Sequence, residues 1–505
     1  KISKSPLVEK VFCAPGNAGT AELSQNIEID AENIPALLEF ALKEKIDLTV
    51  VGPEGALSKG IVDEFQKHGL KIFGPTKDAA MLESSKAFAK HLMQKTGVPT
   101  AGFQIISGID EAMALVQSKE KAVLKADGLA SGKGVFVCKS KQEIMGAGNK
   151  LLQEKIFGNA SEQIIIEDLL EGEEASVLAF CDGKTAKLMP PAQDHKTVFD
   201  GDKGPNTGGM GTYAPAPIIT FKLQKEIEKT VFEPILAEMK KNGKPYTGVL
   251  YAGLMIVEGK PMVLEFNARF GDPETQVILP LLESDLVEIM LSCTEKKLEH
   301  QKIEWSHMAA TCVVLASGGY PGNFEKGKAI FGLNDAKKTE NIIVFHAGTK
   351  QENGKIVSNG GRVLGVTAKG NTIKESTEKA YIAVSKIRFE KMHYRKDIAG
   401  KALKIFAEKE AIRKIMIQKR NNTPPFDLKE KSKAIRAKLF ETAEFKAAKN
   451  VFTYISFGSE VRTQEIIQKC VELKKKVLVP VVDKKTRQII AAEYLGPDRL
   501  KKSEL

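Results

Sequence analysis

The sequence predicts a multidomain protein that combines α/β and α+β domains. A chain of 505 residues is too long for one hydrophobic core, since a domain holds about 150 residues. Over residues 1–81, short apolar strands alternate with a helical segment, the order that predicts an open α/β sheet. Beyond about Lys401 the chain changes to a basic helix, a Pro424-Pro425 pair and a new β-α-β pattern. This change predicts a linker followed by a separate domain.

The composition is that of a globular protein. Hydrophobic residues make up 42% of the chain and charged residues 28%, and no apolar run approaches the roughly 20 residues of a membrane helix. The net charge of +11 is spread along Lys-rich stretches with few aromatics, which favours a solvated surface over a nucleic-acid partner. Six cysteines without a C-x-x-C pair predict neither a zinc site nor disulfides. Because no signal-peptide pattern is present, we expect a cytoplasmic protein.

In residues 1–81, each predicted strand ends in a loop rich in Gly or Pro. The strands read KVFCAP, LTVVGP and KIFGP, and IPALLEFALKEK predicts a helix between the first two. Ligands bind at the carboxyl ends of strands in open α/β sheets. The loops at 14–19, 52–55 and 74–76 are therefore candidate binding loops, and a helix from about Ala79 to Lys95 is expected to follow them.

The segment KADGLASGKGV, Lys125 to Val135, is a candidate phosphate-binding loop. A Walker A motif requires G-x-x-x-x-G-K and then Ser or Thr, but Gly128 and Gly132 stand one residue too close and Gly134 takes the hydroxyl position. The β-branched runs on both sides predict a glycine-rich hairpin. Its backbone N–H groups could close over a phosphate, with Lys125 or Lys133 supplying charge. An ordinary exposed hairpin is the alternative.

The stretch LEFNARFGDPE, 264–274, is a candidate site for Mg²⁺ and phosphate. Alternate residues of a strand share a face, so we expect Glu265, Asn267 and Arg269 on one face and Leu264 and Phe266 in the core. Mg²⁺ prefers hard oxygen ligands and usually shares them with substrate phosphates. A structural salt bridge would explain Glu265 and Arg269 but not Asn267.

Two further segments are an acidic bend at 167–176 and a β-rich unit at 310–400. EDLLEGEEAS, 167–176, places Glu167 and Glu174 on either side of a Gly-containing bend, where backbone groups could contact an adenine and a carboxylate could contact a ribose. An acidic turn is the alternative. Residues 310–400 predict a β-rich unit that closes with a helix near STEKAYIAVSKI.

In chain order, Lys86 on a helix, Lys125 before a glycine loop, the bend and Glu265-x-Asn267 resemble the ATP-grasp fold. Longer motifs are similar to the phosphoribosylamine–glycine ligase family over residues 1–400. They are PLVEKVFCAPGNAGTA, GPE, KADGLASGKGV, QDHK with DGDKGPNTGGMGTYAPAP, and YAGLM with LEFNARFGDPETQ. The resemblance implies ATP-dependent ligation of glycine to 5-phosphoribosylamine in purine biosynthesis, through glycyl phosphate, with Mg²⁺ or Mn²⁺. Another ATP-grasp carboxylate–amine ligase and a catalytically silent nucleotide-binding scaffold are the alternatives.

The resemblance also implies domains and site residues. The expected domains are an N-terminal α/β domain at 1–81, an ATP-grasp domain at 82–305, a β-rich domain at 306–400 and a tail domain at 401–505. Expected ATP contacts are Lys86, Lys125, Gly128, Ser131, Gly132, Lys133, Gly134, Glu167, Leu170 and Glu174. Glu265 and Asn267 would bind the metal, while Arg269 and Lys125 would stabilise charge on the transferred phosphoryl group. Expected substrate contacts are Asn17, Gly19, Pro53, Glu54, Asp194, Lys196, Asn206, Thr207 and Gly208.

Two expectations concern His195 and the glycine-rich loop with which family members normally begin. His195, within 193–211, is expected to be structural, because an amine that attacks an acyl phosphate needs little base assistance. Family members normally begin with a strand and a G-x-G-G-R-E-H loop, and this sequence starts just after it. We therefore expect either a fragment or an incomplete phosphoribosylamine phosphate site.

The tail resembles the first half of 5-formyltetrahydrofolate cyclo-ligases. The similar segments are KEAIRKIMIQKR, NVFTYISFGSEVRTQEIIQKC and KKVLVPVV. Lys409 and Arg413 would share one helix face as anion-binding side chains, and Glu460 would follow the strand at a ligand-facing edge. A solvated basic helix is the alternative. We expect this domain, with its possible folate ligand, to be inactive as written or truncated, and we expect the protein to be a monomer.

Overall fold

The computed structural model describes residues 1–107, 111, 114–115, 118–129, 134–154, 156, 158, 163–482 and 489–496. The chain forms two compact units, Lys1–Leu403 and Lys404–Leu505. The mixed α/β and α+β class is confirmed by the elements below. No helix in the described ranges is both long and apolar enough to cross a membrane.

Residues 1–84 contain short parallel strand pairs with helices between them. β1 (Phe12–Cys13) pairs with β2 (Gln25–Asn26), and β3 (Thr49–Val50) pairs with β4 (Ile72–Phe73). The helices are Ile34–Lys43, Glu54–Ser58, Ile61–Lys67 and Met81–Ser84. The parallel pairs place the loops at 14–19, 52–55 and 74–76 after strand ends, as the α/β pattern predicts.

The helix expected from Ala79 to Lys95 is interrupted at Ser85. Helix Met81–Ser84 ends there and helix Lys86–Thr96 begins, with the Ser85 hydroxyl accepting a hydrogen bond from the N–H of Phe88. The carboxylate of Asp127 accepts a second bond from the N–H of Ala87 at 3.0 Å. Such side-chain acceptors satisfy the free N–H groups of a first helical turn. The start of the second helix is thus tied to residues 127–128, where the ammonium of Lys86 donates to the carbonyl of Gly128 at 3.1 Å.

The first antiparallel sheet has the order β5-β8-β6-β7. Its strands are β5 (Phe103–Ile106), β6 (Ala122–Ala126), β7 (Val135–Cys138) and β8 (Ile164–Glu167). β6 and β7 are antiparallel with Lys125 opposite Val135, which confirms the predicted hairpin. Helix Lys141–Gly148 and the π-helical turn Asn149–Gln153 bury Ile144, Ala147 and Leu151 in the core of this sheet.

The second sheet has the order β10-β9-β15-β16. Its strands are β9 (Glu173–Asp182), β10 (Ala186–Leu188), β15 (Thr247–Val257) and β16 (Lys260–Asn267). Between β10 and β15 the chain forms β11 (Gln193–Asp194), β12 (Thr197–Phe199), β13 (Lys203–Asn206) and β14 (Gly211–Ala214), which lie outside this sheet. Helices Phe221–Ile227 and Glu233–Lys241, joined by the π-helical turn Glu228–Phe232, pack on one face. Helices Thr275–Leu281 and Leu286–Thr294 pack on the other. The bend at 168–172 thus connects two sheets.

The expectation that Leu264 lies in the core is wrong. The register of β15 and β16 shifts between Gly253, opposite Glu265, and Leu254, opposite Val263, so Leu264 is the extra residue of a β-bulge. A bulge breaks the strict alternation of side chains. Phe266 is buried as expected, whereas Leu264 is half-buried.

The third sheet draws strands from both sides of the boundary predicted near residue 305. The elements are β17 (Ala309–Ala316), helix Leu333–Lys337, β18 (Ile342–His346), β19 (Thr349–Glu352), β20 (Lys355–Ser358), β21 (Arg362–Gly370) and helix Ile373–Val384. The order is β11-β14-β17-β21-β18, and β19 pairs with β20. Helix Ile373–Val384 confirms the prediction at STEKAYIAVSKI.

The second unit is a small three-stranded α/β structure within the described residues. Helix Gly400–Asn421 enters it, followed by helices Pro425–Glu441, Ala443–Ala447 and Gln464–Glu472. β22 (Asn450–Phe452) is parallel to β23 (Lys476–Val482), and β24 (Ile489–Glu493) is antiparallel to β23. Its core contains Phe445, Ile466, Ile467, Cys470, Val477 and Val479.

Candidate active site

A cavity of about 670 Å³ collects most of the predicted site residues of the first unit. Its wall is formed by helix Lys86–Thr96, the β6–β7 hairpin, the bend at 168–172 and parts of β15 and β16. The predicted residues that line it are Glu54, Lys86, Lys125, Gly128, Gly134, Glu167, Leu170, Glu174, Asp194, Lys196, Asn206, Thr207, Gly208, Glu265, Asn267 and Arg269. Residues far apart in sequence are thus brought to one site.

Three predicted substrate contacts, Asn17, Gly19 and Pro53, do not line this cavity. The Asn17 amide donates to the carbonyl of His346 at 2.8 Å, and its side-chain oxygen accepts from the N–H of Gly19 at 2.9 Å. A Cβ on Gly19 would lie 2.6 Å from that of His346. Asn17 and Gly19 therefore join the first loop to the β18–β19 connection. Ser131, Gly132 and Lys133 lie outside the described residues.

A buried triad of Lys90, Glu167 and Lys125 lies in the cavity wall. The Glu167 carboxylate is 3.1 Å from the ammonium of Lys90 and 2.8 Å from that of Lys125. Lys125 also donates to the carbonyl of Leu264 at 2.9 Å. Burial lowers the pKa of Lys90 to about 8, although Glu167 acts in the opposite direction. Two cations against one carboxylate give this wall a positive excess that suits a phosphate.

Glu265 and Asn267 present two oxygen ligands at the end of β16. Burial by itself would raise the pKa of Glu265, but four cations outweigh it and lower that pKa. They are Lys196, Lys125, Lys86 and Arg269. Within the described ranges no group of three His, Cys, Asp or Glu residues could hold a metal. A magnesium ion at Glu265 would need phosphate oxygens to complete its shell, which is how proteins usually bind it.

Arg269 is held by two carboxylates. Its guanidinium lies 3.2 Å from Glu54 and 3.0 Å from Glu83. Glu83 also accepts a bond from the N–H of Ala268 at 2.7 Å, and burial raises the pKa of Glu83 to about 7. The ion pairs that the structure describes for Arg269 thus do not include Glu265, the partner that a structural salt bridge would require. Glu54 links the first 83 residues to this site.

A further group of residues in the cavity wall carries acidic and hydroxyl side chains. The carboxylate of Glu174 lies 2.6 Å from the ammonium of Lys196, and Tyr251 donates to Glu274 at 3.1 Å. Burial, with Glu274 adding to it, raises the pKa of Asp194 to about 8. Oδ1 of Asp194 is buried, and no described residue bonds to it. Buried polar atoms normally have a partner, so this oxygen is available to a polar ligand.

A short segment beside Asp194, residues 206–209, is called the acceptor loop below. Thr207 donates through its hydroxyl and its N–H to the carbonyl of Lys196, each at 2.7 Å. Gly209 has φ +106°, which few side chains adopt. His195 lines no part of the cavity; its Nδ1 lies 3.3 Å from the carbonyl of Gly211, in keeping with a structural role.

Family models match both units. The N, ATP-grasp (A) and C domain models of phosphoribosylglycinamide synthetase match residues 1–83, 84–275 and 310–401. The phosphoribosylamine–glycine ligase of Caldanaerobacter subterraneus subsp. tengcongensis is 50% identical over 401 residues, which is 79% of this chain and 95% of that protein. The chain belongs to the phosphoribosylamine–glycine ligase family. The Escherichia coli K12 member is 48% identical over 408 residues, 80% of this chain and 95% of that protein.

Solved structures support the same assignment. A phosphoribosylamine–glycine ligase from Thermotoga maritima has a TM-score of 0.68 at 36% identity, and the match covers 79% of this chain and 96% of that one. The biotin carboxylase domain of a Hydrogenobacter thermophilus 2-oxoglutarate carboxylase, at 14% identity, has a TM-score of 0.58 over 76% of this chain and 86% of that one. This more distant likeness concerns the fold alone.

The tail of this family member has a second resemblance. Residues 405–505 match the 5-formyltetrahydrofolate cyclo-ligase family model. Lys409 and Arg413 are exposed on helix Gly400–Asn421. Glu460 follows β22 after a loop and accepts a bond from the N–H of Phe457 at 2.9 Å. The roles suggested for these three residues stay predictions.

Sequence reasoning missed several cavity residues of this ligase family member. Lys90 and Glu83 lie in helices, where a charged side chain usually faces solvent, and only the tertiary packing buries them. Glu274 lies in the quoted GDPE motif but was given no role. Two charged residues at helical spacing, such as Lys86 and Lys90, could have drawn attention to one face pointing at a site.

Proposed function

We propose that residues 1–403 ligate glycine to 5-phosphoribosylamine with ATP, giving glycinamide ribonucleotide, ADP and phosphate in purine biosynthesis. The observation that supports this most is that one cavity collects two groups of residues. The cations with the Glu265–Asn267 pair are called the nucleotide end, and Asp194, Lys196 and the acceptor loop are called the acceptor end. The identity of the substrates is inferred from the family to which the chain belongs. A monomer is expected to be active, because residues of one chain line the cavity.

The reaction has two steps. A glycine carboxylate oxygen attacks the γ-phosphorus of ATP, the bond to the bridging oxygen breaks, and ADP leaves. The amine nitrogen of 5-phosphoribosylamine then attacks the acyl carbon of glycyl phosphate, and phosphate leaves with the electron pair of the broken C–O bond. Both steps depend mainly on positioning and on stabilisation of negative charge.

At the nucleotide end, Lys86 and Lys125 neutralise phosphate charge and the backbone at Leu170 contacts the adenine. Glu174 is 44% exposed on its side chain and can accept a ribose hydroxyl while it pairs with Lys196. Glu265 and Asn267 would hold Mg²⁺ or Mn²⁺, which would neutralise charge on the phosphates. Arg269, oriented by Glu54 and Glu83, stabilises the transferred phosphoryl group.

At the acceptor end, Asp194 and Lys196 position the small substrates together with Asn206 and Thr207. The free oxygen of Asp194 suits the ammonium or amine that both substrates carry, and the ammonium of Lys196 suits a carboxylate or phosphate.

The test is whether steady-state ADP turnover requires both glycine and 5-phosphoribosylamine, since the first step alone can release one ADP per active site with glycine. Glu265→Gln should lower that turnover by about a hundredfold or more, because loss of one ligand removes charge stabilisation in the transition state. The thermal midpoint should fall only in part, because the charge that four cations favour at Glu265 is lost, while the loss in activity should be much larger. Glu258→Gln, on the exposed turn of the same β-hairpin, is the matched control. Equal loss of stability and activity would favour a structural role, and ADP turnover that does not depend on glycine would contradict the function.

A further inference from the structure

We propose that Arg362 and Tyr320 are positioning residues that hold the acceptor loop in its working geometry. The proposal rests on the proposed function, because it assigns the acceptor loop to glycine or 5-phosphoribosylamine. Neither residue lines the cavity, and both belong to the β-rich region after residue 306. They would act on substrate only through the loop and its neighbours.

Both backbone polar atoms of Gly208 are bound by these two side chains. The N–H of Gly208 donates to the hydroxyl of Tyr320 at 3.0 Å, and its carbonyl accepts from the guanidinium of Arg362. Gly208 itself lines the cavity. The orientation of this peptide is therefore set from outside the cavity.

Arg362 also binds the other side of the acceptor end. Its Nη2 lies 3.0 Å from Oδ2 of Asp272, and its Nη1 donates to the carbonyl of Asp272 at 3.0 Å. Asp272 lines the cavity as well. One planar guanidinium thus joins the acceptor loop to the turn that follows β16. A lysine ammonium is a point charge and cannot reproduce this fork of bonds.

The packing leaves the loop little space. A Cβ on Gly208 would lie 2.9 Å from Cζ of Arg362, and a Cβ on Gly209 would lie 2.4 Å from Cδ of Pro273. Two adjacent glycines have little conformational preference of their own. The order of the loop must therefore come from its partners, and Arg362 and Tyr320 are the side chains that hold its central peptide.

Arg362 contributes geometry more than stability. Its side chain is 21% exposed and that of Asp272 is 51% exposed, and ion pairs at this exposure stabilise folded proteins little. A displacement of about 1 Å in a substrate-positioning group costs on the order of a hundredfold in rate. Loss of Arg362 should accordingly impair the use of acceptor substrates and leave folding intact.

The experiment compares Arg362→Gln, Arg362→Lys and Tyr320→Phe in the full chain, with Arg388→Gln as the matched control. Arg388 is exposed in the same region and stacks on Phe331. The first three variants should raise KM for glycine or 5-phosphoribosylamine by about tenfold or lower kcat to that extent, with KM for ATP within about twofold of the unsubstituted chain. A parallel rise in KM for ATP, or the same loss in Arg388→Gln, would overturn the proposal.

Amide hydrogen exchange without substrates gives a readout independent of activity. Exchange at Gly208 should be faster in Arg362→Gln and Tyr320→Phe, while Met210, whose N–H donates to the carbonyl of His195 at 2.8 Å, should be unchanged. Equal exchange at Gly208 in all variants would refute the positioning role. If the unsubstituted chain forms no ADP with both substrates, the proposed function fails, and the exchange result still decides between positioning and no role.

Discussion

Replacement of Gly209 by alanine tests how tightly the acceptor end is built. Gly209 has φ +106°, and its added Cβ would lie 2.4 Å from Cδ of Pro273 and 2.8 Å from Oδ1 of Asp194. A left-handed backbone costs a side chain about 1–2 kcal/mol. Overpacking against a rigid ring adds about 1–3 kcal/mol. The local cost is therefore about 2–5 kcal/mol, more than the acceptor loop can absorb without moving.

The displacement sets the effect on activity. Ordinary contact begins at 3.4 Å, so a Cβ at 2.4 Å requires a shift of 1.0 Å between the loop and Pro273. A shift of this size predicts a loss of about a hundredfold in kcat/KM for the acceptor substrates. The assay is ADP formation with each substrate varied in turn, together with the thermal midpoint.

Gly243→Ala is the matched control. Gly243 has φ +73° but no described neighbour within 4 Å of its ideal Cβ. This variant has the backbone cost without the clash, so its activity should stay within about twofold of the unsubstituted chain. If both alanine variants lost the same activity, backbone strain alone would explain the effect, and the close packing of Gly209 on Pro273 and Asp194 would have no functional meaning.

Three further predictions concern the hairpin, the two units and pH. With ATP bound, the amides of Gly128 and Gly134 should exchange more slowly than in the free protein; identical exchange would make the β6–β7 hairpin an ordinary turn. A chain that ends at Ala407 should keep the activity of the full chain within about threefold, because the described cavity residues belong to Lys1–Leu403; loss of ADP formation on truncation would contradict independent units. Burial raises the pKa of Glu83 from 4.5 to about 7, so the stability that its protonation contributes is full below pH 4.5 and is lost as the pH rises through 7. Glu83→Gln should therefore flatten the free energy of unfolding over this range in chemical denaturation, and an unchanged slope would show that Glu83 does not bind this proton.

The parts of the site that follow local periodicity could be predicted from the sequence. Two β-branched runs around KADGLASGKGV predict a hairpin, and the structure pairs Lys125 with Val135. Alternation along a strand placed Phe266 in the core and Glu265 and Asn267 at the cavity. These features depend on residues within a few positions of one another, where the pattern carries the information.

Features that depend on tertiary packing could not be predicted in this way. Ser85 is a common N-cap residue, but a Ser within a helical pattern does not by itself predict a break; the second cap at Ala87 comes from Asp127, about 40 residues later. Leu264 leaves the core because it is the extra residue of a bulge in β16, where the pairing with β15 shifts by one residue. In the sequence, Lys90 cannot be distinguished from an exposed helical lysine. The structure buries it beside Glu167 and Lys125. Each case requires knowledge of a neighbour that is distant in sequence.

The third sheet also has a consequence for synthesis on the ribosome. β14 pairs with β17 from Gly211 opposite Val313 to Ala214 opposite Ala310. At about 5–20 residues per second, the 95 residues between Ala214 and Ala310 take roughly 5–20 seconds to translate. During that interval one edge of β14 has no strand to pair with, and unpaired edges attract other chains. A nascent chain that ends before residue 309 would therefore expose this edge of β14 until β17 emerges.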